Sequence, residues 1–174
     1  CTQNPDLFRV KAPWQTWKDC IPVDDVEISP ELITDYILEM GQKYLIKKVA
    51  IDNYRYPLMR RALENIGFDP KERKNLYLVR PSDIMKIIPV IDSCFNRQLF
   101  VWGNNPALRW AANNTKKVVS GKKQGIDIGN FIYAKIEAKS RKNDPFMALV
   151  HSMVIENELN VTQSTYVDIP VIVG

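Results

Sequence analysis

The chain has 174 residues, a formal net charge of +4 and one histidine, a length that suits one domain with a sizeable core. Its 45% hydrophobic and 25% charged residues describe an ordinary globular chain; no apolar run reaches bilayer-spanning length, and the start lacks a signal-peptide pattern. Cys1, Cys20 and Cys94 lack C-x-x-C spacing, which argues against a disulfide framework or a zinc site and fits a reducing cytoplasm. The lone His151 excludes any site built from several histidines, and +4 permits a polyanionic partner without requiring one.

Cys1 to Asp19 is irregular, with turn signals at Asn4-Pro5 and Ala12-Pro13. Trp14 and Trp17 sit three apart, suited to packing on the body of the domain or to stacking on bases. Ile21 to Ile28 reads as a short edge strand broken by Asp24-Asp25. Ser29-Pro30 signals a helix start, and the helix carries Leu32, Ile33, Tyr36, Ile37, Met40 and Tyr44 at helical spacing. Val49-Ala50-Ile51 is a short apolar run ending in Asp52, the pattern of a buried parallel strand. Ligands gather at the carboxyl ends of such strands in open α/β sheets. Asp52 is therefore a candidate site residue, with capping of the following turn as the plainer role.

Pro57 opens a second helix with Leu58, Met59, Ala62, Leu63 and Ile66, closed by Gly67. Leu76 to Val79 is a strand candidate. Pro81-Ser82-Asp83 starts a third helix through Ile84, Ile87, Ile88, Ile91 and Phe95, which Pro89 is expected to kink. Gln98 to Trp102 reads as a strand, and Gly103-Asn104-Asn105-Pro106 turns into a fourth helix with Leu108 and Trp110. Thr115 to Ile128 reads as an exposed basic loop or hairpin tip, with Lys116, Lys117, Lys122 and Lys123 around Gly121. Phe131 to Ile136 is a strand, and Lys139-Ser140-Arg141-Lys142-Asn143 leads to Asp144-Pro145 and a last helix through Met147, Ala148, Val150, Val154 and Ile155. Ile169 to Val173 reads as a final strand or a loosely docked tail. Alternating strands and helices argue for α/β layering on a partly parallel sheet.

Two carboxylates stand out on this scaffold: Asp52 ending a strand and Asp144 beginning a helix. Mg²⁺ takes one or two carboxylates and keeps places for water and phosphate oxygens. A pair of such ions about 3.5–4 Å apart clamps an in-line phosphodiester displacement, so the two carboxyl groups are expected roughly 4–8 Å apart. An ordinary N-cap is the plainer reading of Asp144, and one carboxylate can cap and bind metal at once. The lysines are either a solvated surface or salt-sensitive, sequence-independent phosphate contacts. Asn105 caps the fourth helix; local structure gives no role to Asn104, Asn113 or Asn114. No G-x-x-x-x-G-K-[ST] phosphate loop and no G-x-S-x-G elbow occurs.

An ordered set of pieces resembles the C-terminal nuclease domain of the large terminase subunit of tailed bacteriophages. These are Ile51-Asp52-Asn53-Tyr54-Arg55, Leu63 to Gly67, Ile88-Pro89-Val90-Ile91 with Phe95, Gly103-Asn104-Asn105-Pro106-Ala107-Leu108-Arg109-Trp110, Asn113-Asn114-Thr115, and Lys142-Asn143-Asp144-Pro145-Phe146-Met147-Ala148-Leu149. The likeness runs from about Ile33 to Val154. It implies a single ribonuclease-H-like domain, 1–174, with a mixed sheet flanked by helices, which cuts concatemeric double-stranded DNA with Mg²⁺ or Mn²⁺ held by acidic residues. Asp52 matches the family's second acid and Asp144 its third. The first acid and its strand have no match, so the sheet is expected to be incomplete at the N-terminus and the piece inactive alone. The implied partners are double-stranded DNA, the terminase ATPase domain, the small terminase subunit and the portal, in the cytoplasm of the infected or lysogenic bacterial host. Lys116, Lys117, Lys122, Lys123, Lys139, Arg141 and Lys142 are the candidate DNA contacts. The competing reading is a non-catalytic DNA-contacting or motor-assembly module that lost the first acid.

Overall fold

The structure is a computed structural model that describes residues 1–18, 20–120, 122–123, 126–127 and 130–159, with side chains described outside 121–129. The expected strand Ile169–Val173 lies outside the described residues. The fold is mixed α/β: among the described residues five α-helices accompany two-stranded ladders rather than one wide sheet.

The first half folds around a parallel pair. Helix α1 (Pro30–Gly41) starts where Ser29 Oγ accepts from the Leu32 amide at 3.1 Å, relieving one of the unpaired first-turn donors. Strand β1 (Val49–Ile51) is followed by α2 (Tyr56–Asn65), which crosses back so that β2 (Leu76–Leu78) pairs parallel to β1, Ala50 opposite Tyr77. Gly67 ends the α2 segment at φ +93°, and its carbonyl accepts from Asn75 Nδ2 at 3.0 Å, tying the helix exit to the entry of β2. Leu63, Phe68 and Leu76 form the buried centre, with Ile37, Val49, Ile51 and Met59 packed around it. β1 is half-buried rather than sealed on both faces, because a two-stranded ladder leaves an edge uncovered.

The second half is built on α3 (Pro81–Asn96), α4 (Pro106–Asn113), the antiparallel pair β3 (Thr115–Val119) and β6 (Phe131–Lys135), and α5 (Asp144–Glu156). A smaller antiparallel pair, β4 (Lys122–Lys123) and β5 (Ile126–Asp127), extends the hairpin between β3 and β6. Ile87, Ile91, Ala111, Phe146 and Val150 are its core, extended by Tyr133, whose ring meets Phe146 edge-on at 5.1 Å. Helix α3 runs on through Pro89. Pro89 sits on the solvent side, where water can take up the backbone bond that proline forfeits. Among the described residues no helix is long and apolar enough to cross a membrane.

Three expectations fail. Ile21 to Ile28 is not a strand: Val23, Asp25 and Val26 offer carbonyls to Thr2, Gln3 and the Asn4 side chain, but no ladder forms. Asp24-Asp25 bends the chain there, as carboxylates that bond local amides do. Gln98 to Trp102 is not a strand either. Gln98 takes φ +56°, which breaks an extended run, and Val101 is 94% exposed while Phe100 and Trp102 fold onto Phe95. Its apolar residues serve an aromatic loop rather than a sheet face. Finally, α1 does not bury its whole stripe. Leu32 and Tyr36 stay exposed and Tyr44 lies past the helix end, because α1 packs mainly on α2.

Truncating the fully buried Ile91 to Ala should cost about 2–5 kcal/mol of unfolding free energy. Val101→Ala, in the rejected strand, should stay within about 0.5 kcal/mol of wild type. Urea melts of the two variants check both values; a large loss at Val101 would restore the strand.

Candidate functional site

Asp52 leaves the carboxyl end of β1 and is exposed. Its Oδ1 accepts from the Tyr54 amide at 2.9 Å, the turn-capping role that local chemistry favours. Three residues on, Arg55 takes φ +54° and reaches back to Glu27 at 3.2 Å and to the Ile28 carbonyl at 3.5 Å. The chain entering α1 is thereby pinned to the chain entering α2.

Asp144 is the first residue of α5; Asn143, buried, occupies the cap position, with no side-chain capping bond. The N-cap reading of Asp144 is thus displaced by one residue. Its carboxylate lies at the positive end of the helix dipole, its side chain is 72% exposed, and Lys135 Nζ stands 3.5 Å from Oδ1. Strand alternation explains Lys135: it shares a face of β6 with Tyr133, and Tyr133 packs on Phe146, two residues past Asp144. No sequence feature singled out Lys135, since the end of a strand gives no clue to which helix it meets.

Helix α5 lies against β1, and its direction is set at two points. Lys48, just before β1, pairs with Glu158 past the end of α5. Asp52, just after β1, is near enough to His151 to favour its charged form. The two elements therefore run antiparallel. Asp144 lies seven residues before His151, about 10 Å of helix rise farther toward the end at which β1 releases Asp52. Asp52 thus neighbours the middle of α5, whereas Asp144 begins it, and no bond or ion pair joins the two carboxylates among the described residues. Each takes a different nearest partner, and among the described residues no three His, Cys, Asp or Glu side chains group to hold a metal ion.

A buried asparagine organises the approach to Asp144. Asn114, 1% exposed, ends α4; its Nδ2 donates to the Lys142 carbonyl and its Oδ1 accepts from the Arg141 guanidinium, each at 3.3 Å. Its backbone carbonyl accepts from the Ile136 amide at 2.8 Å. One residue joins α4, the exit of β6 and the loop into α5. Sequence reasoning left Asn114 without a role because all three partners lie far along the chain.

The candidate cations separate on this framework. Lys116 and Lys117 point to opposite faces of β3. Lys117 is held by Asp92 at 2.7 Å, whereas Lys116 and Lys139 are exposed. Arg141 is half-buried and engaged by Asn114, and Lys142 is half-buried beside Asp144. The side chains of Lys122 and Lys123 lie outside those described. A cavity of about 460 Å³ opens beside Asp144, walled by Trp14, Trp17, Trp110 and Pro145, with Lys142 also on its lining. No family profile, curated protein or solved structure matched this chain.

Two outcomes follow. Asn114→Ala strips the partner from the Lys142 carbonyl and should cost about 1–3 kcal/mol, read from denaturant melts. His151 is held below its usual value of 6.5 by burial, with Asp52 opposing. The folded state then binds fewer protons than the unfolded one as pH falls through 6.5, so stability is lost on acidification. His151→Gln should flatten that loss between about pH 7 and 5; melts in chelator across this range check the slope.

Proposed function

We propose that this chain is the nuclease domain of a phage DNA-packaging terminase, a ribonuclease-H-like, metal-dependent endonuclease acting on concatemeric double-stranded DNA. What supports the reading is a pair of exposed carboxylates on two elements that pack together, Asp52 after β1 and Asp144 at the start of α5, as in the family to which the ordered motifs are similar. The donor set fits Mg²⁺ or Mn²⁺: hard oxygen ligands, one or two carboxylates, and open positions for water and phosphate. Asp52 and Asp144 would hold the ion, which when bound supplies charge stabilisation of the attacking and leaving oxygens.

The chain's own residues do the rest. The turn at Tyr54 engages one oxygen of the exposed Asp52. Lys135 neutralises part of the Asp144 charge before a phosphate arrives, and Asn114 keeps the Arg141-Lys142 backbone next to it. Lys139 and Lys142, in the loop that leads into Asp144, are the cations best placed to meet the backbone of double-stranded DNA, whereas Lys116 lies on the face of β3 away from Lys135. The terminase ATPase domain, the small subunit and the portal are the partners this reading entails, with the host cytoplasm as its setting.

The second reading, a DNA-contacting or motor-assembly module without catalysis, is favoured by the lack of a third acid grouped with these two among the described residues. Plasmid nicking with Mn²⁺, by this chain and by a version extended upstream of Cys1, separates the two. The nuclease reading expects cleavage in the extended form and at least a 100-fold loss in Asp52→Asn and Asp144→Asn, since removal of a transition-state interaction of about 2.7 kcal/mol lowers the rate that far. Undiminished nicking in both variants, or none in any form, would overturn it. For DNA contact, Lys139→Ala with Lys142→Ala should reduce the slope of log affinity against log salt by up to about 1.8, at 0.9 per phosphate contact. The loss should be alike across sequences, and an unchanged slope leaves these lysines as solvated surface.

A further inference from the structure

Strand β1 has one paired edge and one free edge. The Val49 amide donates to the Asn75 carbonyl at 2.8 Å, and the Ile51 carbonyl accepts from the Val79 amide at 2.8 Å. Both residues turn their backbone groups toward β2, so Ala50 between them turns its own to the other side. There Ala50 has no hydrogen-bond partner, and β1 no second strand, among the described residues. The outer edge of β2 differs, since the Leu76 amide already donates to the Asp69 carbonyl at 3.2 Å. Parallel strands normally lie inside wider, covered sheets, and unpaired edge groups are a template for one more strand.

A suitable strand is tethered beside that edge. Glu158 pairs with Lys48 at the start of β1, so the chain passes Leu159 there and runs on into residues 160–174, outside those described. Because α5 lies antiparallel to β1, a strand that follows it returns parallel to β1. Residues 160–166 reach roughly 23 Å when extended, ample for the step of about 4.8 Å to a neighbouring strand. Val167, Ile169, Val171 and Val173 alternate with Asp168, Pro170 and Ile172, which gives one face made only of β-branched apolar residues. Pro170 has no N–H and suits only an edge strand. Turned outward it forfeits no bond, and its neighbours Ile169 and Val171 then turn inward.

We propose that residues 167–173 form a third parallel strand on the free edge of β1. The Ala50 amide donates to the Ile169 carbonyl, and the Ala50 carbonyl accepts from the Val171 amide. The strand braces β1 just before Asp52, and Pro170 on its outer side keeps the sheet from recruiting another chain.

The test is NMR on the whole isotope-labelled chain. Nuclear Overhauser contacts should join the Ala50 amide to the backbone of residues 169–171, and that amide should exchange slowly with solvent. Val171→Pro removes the donor to Ala50 and should speed the exchange about 3- to 10-fold, the contribution of one net hydrogen bond. Ile172→Pro, at a position facing outward, should leave it unchanged. Equal effects of the two prolines, contacts to the Leu76–Leu78 edge instead, or an Ala50 amide that exchanges as freely as an unstructured one would overturn the pairing. Contacts found only between differently labelled chains would also overturn it and assign the edge to a second copy.

Discussion

The antiparallel packing of α5 on β1 is the constraint on which the rest of this molecule depends. It joins two apolar centres that otherwise have separate residues: Leu63, Phe68 and Leu76 on one side, Ile87, Ile91, Phe146 and Val150 on the other. An ion pair at one end sets its direction, Lys48 with Glu158. The exposed part of such pairing contributes little to stability in water, so burial supplies the energy and the charges choose the orientation. Reversing α5 would carry Asp144 to the opposite end from Asp52.

That geometry also decides which charges matter. A count of lysines suggests one basic patch, yet strand alternation sends Lys116 and Lys117 to opposite faces and spends Lys117 on Asp92. The cation nearest the proposed site is Lys135, delivered by the strand that packs Tyr133 on Phe146. Buried Asn114 then fixes the loop carrying Arg141 and Lys142. Side-chain hydrogen bonds of this sort are costly to break when buried, which makes the loop a rigid approach to Asp144 rather than a free tether.

Local chemistry was legible in the sequence. Ser29-Pro30, Asn105-Pro106 and Gly67 announced helix ends, and all three hold with the bonds or backbone angles expected of them. Val49–Ile51 and Leu76–Leu78 read as strands and pair in parallel. Failures arose where a pattern has two physical causes. The apolar run at Gln98–Trp102 looked like a strand, but two of its aromatic rings fold onto Phe95 after a left-handed Gln98. Helical spacing at Leu32 and Tyr36 promised burial that no neighbour supplies. Asn114, Lys135 and the Trp17–Trp110 contact escaped altogether, because each takes its meaning from a partner in another element of the fold.

The central claim is that Asp52 and Asp144 serve one metal ion or one pair of ions. Substoichiometric Mn²⁺ added to ¹⁵N-labelled protein tests it most directly, because a paramagnetic ion broadens amide signals near it. The account predicts that the amides of Asn53 and Tyr54 and those of Phe146 and Met147 broaden together. It also predicts that Asp144→Asn removes the effect at Asn53 as well as at Phe146. Broadening at one group alone, or at neither, would contradict it.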